Sequence, residues 1–223
     1  MSGSSVNPIT PGFYGKLPAH GDFVSRRLPR AFIKPWDRWL QDLIRHSHSQ
    51  LGEDWLEYYL QSPFWRFLLG AGLCGDSPVA GVMMPSMDRG GRYFFLTSAA
   101  LVQAGQLTTL AEHHQAWFRS LEALSRQALD EDLDADQLIA RMDGLGVAPT
   151  STTPATPWHH DLADGNDLHD ALATLAADRL SRVLLDGSLW WTTGSPRVRA
   201  ILLHCQEGLP PPPWGQGFLA GRW

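Results

Sequence analysis

The chain has 223 residues, 43% of them hydrophobic and 18% charged. That is enough apolar material for one substantial core, which excludes wholesale disorder and makes a single large α/β unit the simplest organisation. The formal charge of -5, from 18 Lys and Arg against 23 Asp and Glu, leaves no basic excess to neutralise a phosphate backbone, so no nucleic acid is expected as a partner.

Two cysteines, Cys74 and Cys205, are too few for a disulfide scaffold and fit a reducing, cytoplasmic setting. No run approaches the ~18 apolar residues of a bilayer span, so no membrane insertion is expected. Residues 1–11, MSGSSVNPITP, have neither the basic nor the apolar region of a secretory signal and read as a flexible lead.

From Gly12 to Val24, short apolar pieces alternate with Gly12, Gly15, Pro18 and Gly21, the pattern of a strand that breaks into a tight loop. Pro35 suits a first helical turn, and Trp36, Trp39, Leu40, Leu43 and Ile44 follow at helical spacing. A short helix is expected over Asp54 to Leu60, ending before Ser62-Pro63, and then a strand over Phe64 to Leu69. Between Val79 and Val102 two apolar strands flank the glycine-bearing stretch Ser86 to Gly91, which predicts a β-hairpin. Its strands are apolar at most positions instead of alternating, so helices should cover both faces of the sheet.

Thr109-Leu-Ala-Glu112 fits a capping box opening one long helix from about Leu110 to Leu129. A second helix should follow the acidic run Asp130 to Asp136, capped by Gly144. Residues 146–157, GVAPTSTTPATP, read as a mobile loop inside a single domain spanning 1–223. Helical spacing returns from Asp167 to Leu180, and strands from Ser188 and Arg199 follow. Pro210 to Pro213 should then stop the chain in a polyproline segment. Helices on either side of a hairpin suggest a mixed, partly antiparallel sheet.

Candidate chemistry is sparse. Gly15-Lys16-Leu-Pro-Ala-His20-Gly21-Asp22 has the glycines and lysine of a phosphate cradle but not the Gly-Lys-Ser/Thr ending of one, and a structured turn is the simpler account. His159, His160, Asp161, Asp164, Asp167, His169 and Asp170 form the densest group of possible metal ligands. His160 and Asp164 would lie one helical turn apart there, yet a solvated helix start fits as well. Both cysteines have apolar neighbours that raise a thiol pKa, and His204 and Cys205 would point to opposite faces of one strand. The same alternation separates Trp190 from Trp191. Asp88-Arg89-Gly-Gly-Arg92 places opposite charges at the hairpin tip, either to grip a partner or to hold the loop together.

These stretches resemble a known family. Gly12-Phe-Tyr-Gly-Lys-Leu-Pro18, Gly21-Asp22-Phe23, Pro35-Trp36-Asp37 and Ser62-Pro-Phe-Trp-Arg-Phe67 are similar, in order, to signatures of the TagF (ImpM) family. So are Cys74-Gly75, the run from Gly81 to Phe94, and Ser188-Leu-Trp-Trp-Thr192.

The resemblance implies a three-layer α/β/α sandwich and a cytoplasmic accessory protein of the bacterial type VI secretion system. It implies a negative regulator acting after translation, by protein–protein interaction with the system's scaffold protein that carries a forkhead-associated domain. Lys16, Asp22, Asp88, Arg89 and Arg92 are candidate partner-binding residues, because glycine-rich loops could display charge there. No catalytic residue, metal or cofactor is expected. The rival readings are a small metal-dependent hydrolase using the 159–170 cluster and a structural subunit of the assembled machine.

Overall fold

The computed structural model describes residues 9–103, 106–146, 186–205 and 207–223. Among them, seven strands form one sheet in the order β2-β1-β5-β4-β3-β6-β7. The strands are β1 (Gly12–Gly15), β2 (Val24–Arg26), β3 (Trp65–Leu69), β4 (Val79–Met84), β5 (Leu96–Leu101), β6 (Ser188–Thr192) and β7 (Ile201–Cys205). The helices are α1 (Arg30–Leu51), α2 (Trp55–Leu60), α3 (Gln106–His113), α4 (Gln115–Asp130), α5 (Ala135–Met142) and α6 (Gly215–Ala220).

Alternation along the strands explains why they read as continuous apolar runs. In β3, Trp65, Phe67 and Leu69 face a cluster with Trp36, Trp39 and Leu40 of α1, whereas Leu68 faces one with Trp117, Phe118 and Leu121 of α4. Trp190 and Trp191 divide in the same way: Trp190 stacks parallel to Trp36 at 5.9 Å, and Trp191 meets Phe118 edge-on at 5.0 Å. Helices thus pack on both faces of the sheet, and every residue of β1, β3 and β4 is buried by one side or the other, while the edge strands β2 and β7 stay partly exposed. On the α4 face, buried Arg66 of β3 makes paired hydrogen bonds to Glu122, at 2.7 and 2.9 Å, and a third to Gln115 at 3.0 Å. A sheet-centre cation is tolerated there because its charge and donors are met.

The sheet is antiparallel at every pairing, not mixed. The helical crossover α1–α2 does deliver β3 in the same direction as β2. It lands β3 beyond β1, β5 and β4, however, so the two never share hydrogen bonds. The hairpin of β4 and β5 forms as expected, from Val79 opposite Leu101 to Met84 opposite Leu96.

Three helical expectations shift. Helix α1 begins at Arg30, so Pro35 lies inside it, where it forgoes only the bond to the Ala31 carbonyl; buried Leu28 and Phe32 anchor the added turn. The long helix from Leu110 is two helices meeting at His114. The first starts earlier, at Gln106, whose side chain accepts the Gln103 N–H, so Thr109 lies within it and caps nothing. The capping box forms instead at α5, where Asp134 accepts the N–H groups of Asp136 and Gln137 and Gln137 answers the Asp134 N–H. Gly144 falls within the 3-10 turn that follows α5.

The proline run does not end the structure. Pro212 to Trp214 form a 3-10 turn leading into α6, with the Trp39 indole donating to the Pro210 carbonyl at 2.7 Å. Ile9, from the expected lead, is buried among the residues facing α4. Residues 1–8, the loop from 147 onward and the helix expected over Asp167 to Leu180 lie outside the described residues. No helix among the described residues is long and apolar enough to cross a membrane.

Candidate functional site

At one end of the sheet the loop after β1, residues 16–23, lies against the tip of the β4–β5 hairpin, residues 85–95. Gly15 permits the approach. Its φ of +144° is one that side chains rarely adopt, and a Cβ there would strike the Phe95 carbonyl. The two loops are then tied at the carbonyls of the first: the Ser86 hydroxyl donates to the Lys16 carbonyl at 2.7 Å and the Arg89 N–H to the His20 carbonyl at 2.8 Å.

Asp88 sits at the centre. Its carboxylate is fully buried and accepts from the N–H of Gly90 at 2.9 Å and of Arg92 at 3.0 Å, while Arg92 Nε reaches the second oxygen at 2.7 Å. Lys16 Nζ closes the set at 3.0 Å, with its own side chain only 7% exposed. The same ammonium lies 5.0 Å above the Phe23 ring and donates to the Arg92 carbonyl at 3.3 Å. Burial alone would raise the Asp88 pKa. The Arg92 N–H and the two cationic side chains outweigh it and hold the carboxyl well below the ordinary range.

The rim of the site is open to solvent. Arg89 and Arg92 each donate one guanidinium N–H to the other loop, to the Ala19 and Gly21 carbonyls respectively, and both remain exposed. Phe23, 40% exposed, stacks on Tyr14 and meets Phe94 edge-on at 4.8 Å; Met87 is 42% exposed. Asp22 is also exposed, and its carboxylate accepts the N–H of Phe23. Of the five residues singled out from sequence, the structure therefore gathers Lys16, Asp88, Arg89 and Arg92 into one network and leaves Asp22 on its edge. Lys16 and Asp88 lie inside, while Asp22, Arg89 and Arg92 face water.

Sequence reasoning did not find the residues that seat this pair of loops. The Tyr59 hydroxyl exchanges hydrogen bonds with the backbone of Ser86, donating to its carbonyl at 2.9 Å and accepting its N–H at 3.0 Å. His20 Nε2 accepts the Ala135 N–H at the start of α5, at 3.0 Å. Tyr14 donates to Asp37 at 2.6 Å; burial first, and then that bond, raise its pKa, and burial raises that of Tyr59. No local pattern in the sequence points to these links, whose partners lie far apart along the chain.

The other candidates resolve separately. Lys16, the cation of the supposed phosphate cradle, is committed to Asp88. Burial pushes the Cys74 thiol up to about 12 and raises that of Cys205, against which the Ser188 hydroxyl works in the opposite sense. Neither is poised as a thiolate nucleophile. Among the described residues no three His, Cys, Asp or Glu side chains come together to hold a metal; the 159–170 cluster lies outside them. An apolar groove of about 460 Å³ runs between Gln115 and the β6–β7 edge, past Trp191 and Leu202.

Comparison with known proteins adds family and fold. The TagF N-terminal domain, described as type VI secretion system-associated, matches residues 12–145, more than half of the chain. Among solved structures, the crystal structure of PA0076 from Pseudomonas aeruginosa PAO1, at 2.05 Å resolution, is similar at 38% identity with a TM-score of 0.76; the match covers 96% of this chain and 96% of that one. No curated protein matches.

Proposed function

Because the chain belongs to the TagF family of type VI secretion system-associated proteins, we propose that it is a cytoplasmic, non-enzymatic repressor of the secretion machine. It acts after translation, by occupying the scaffold protein that carries a forkhead-associated domain, and needs no cofactor. The observation that carries this reading is the braced pair of loops. A solvent-facing rim of Phe23, Met87, Arg89 and Arg92 is held on a buried ion pair, a rigid display of the residue types that dominate protein interfaces. Thiols kept protonated by burial favour binding over nucleophilic chemistry. The same family reading classes the fold as a three-layer α/β/α sandwich, and the helices packed over each strand face support it.

Deleting the gene tests the regulatory half of the proposal. Effector discharge is expected to rise while transcription of the secretion genes is unchanged; discharge at the parental level would overturn it.

A further inference from the structure

The Lys16–Asp88 pair is buried more deeply than a surface loop requires, and its members come from different loops. Separating the loops would take Lys16 from the enclosed Asp88 carboxylate and leave it to Arg92 and two N–H groups of its own loop, so the buried charge is best met with both loops in place. The remaining cross-links run the same way: Ser86 to the Lys16 carbonyl, Arg89 to the Ala19 and His20 carbonyls, Arg92 to the Gly21 carbonyl. Every one of them joins residues 16–21 to residues 86–92.

We propose that residues 16–23 and 85–95 form a single cooperative docking element, with Asp88 as the positioning residue that makes the order of each loop depend on the other. The inference deepens the function proposed above, for it assigns the surface that a partner grips and the chemistry it needs. The paired loops expose two apolar side chains, Phe23 and Met87, and the guanidinium of Arg89, whose one side-chain hydrogen bond among the described residues goes to the Ala19 carbonyl. It fits a protein segment offering an apolar side chain next to a carboxylate, the anion whose geometry matches the free edge of a guanidinium. Asp88 and Lys16 touch no partner in this arrangement; they act by holding the residues that do.

Hydrogen exchange on the full chain tests the coupling without any partner. In Asp88→Asn and in Lys16→Met, amides of both loops are expected to exchange faster together, by about tenfold or more, while those of α1 and β3 keep their protection. Acceleration confined to the substituted loop would overturn the proposal, as would a rise spread over the whole molecule or none at all. A second arm adds the purified scaffold protein to the wild-type chain: protection gained by both loops supports the surface, and protection elsewhere or on one loop alone contradicts it. Failure to form a complex would sink the repressor function instead, leaving the exchange of the free chain to decide on the loops.

Discussion

Asp88 lies between Met87 and Arg89, both exposed, yet its own carboxylate is closed off from solvent. A hairpin tip reading Asp-Arg-Gly-Gly-Arg suggests charge on display, and the arginines do display it. The aspartate is turned inward because a lysine from the loop after β1, far away in sequence, stands ready to meet it. That long-range partner is what a local motif cannot contain.

Cys74 gives the residue scale its pH signature. Its pKa moves from 9.0 to about 12 on burial, so between those values the unfolded chain releases a proton that the folded chain keeps. The contribution is whole below pH 9 and is lost as pH rises through that window, at no more than about 1.4 kcal/mol per pH unit. Tyr14 and Tyr59, raised from 10.0, add to the loss at higher pH. Urea midpoints measured at pH 8, 9 and 10 should therefore fall above pH 9, and less steeply in Cys74→Ala. An equal slope in the two proteins would contradict the assignment.

At the scale of elements, α6 shows packing overruling propensity. Its sequence, Gly-Gln-Gly-Phe-Leu-Ala, is a poor helix former on its own. Gly215 lets it settle against α1, where a Cβ would come within 2.6 Å of the Leu43 carbonyl and 2.9 Å of Ser47 Cβ, while Phe218 is wholly buried in the aromatic cluster. Gly217 instead faces the half-exposed ring of Trp223, a side chain that can shift against its aromatic neighbours more readily than the α1 backbone can. Gly215→Ala is thus expected to cost roughly 1–3 kcal/mol of unfolding free energy, and Gly217→Ala less than about 1 kcal/mol. Urea denaturation of the two variants checks the order; equal losses would mean that α6 does not dock through Gly215.

The same scale divides what could be read from the chain. The β4–β5 hairpin was legible because its signals are local: two apolar strands, glycines between them, and no polar face. The break between α3 and α4 was not, since apolar spacing runs on through His114 and Leu110 and Trp117 pack in one cluster; only the non-helical backbone of His114 shows it. Helix α5 announced itself through its acidic approach, though its cap proved to be Asp134 with Gln137.

For the whole molecule, the doubly covered sheet followed from strands apolar on both faces, whereas strand order did not. Direction and adjacency are set by where a crossover lands, and the crossover from β2 to β3 passes over three strands. The candidate site was legible to the same degree. Its residues were named because they stand in glycine-rich loops, but the division into a buried brace and an exposed rim needed the fold that brings the loops together. Family membership, carried by several separated stretches, reached further than any one of them.

Titration of the purified chain into the purified scaffold protein with its forkhead-associated domain, followed by calorimetry, tests the proposed function most directly. The account predicts a saturable complex with a dissociation constant on the order of 1 μM or tighter, weakened by Phe23→Ala and by Arg89→Glu. Absence of heat at concentrations on the order of 100 μM, with both proteins folded, would contradict it.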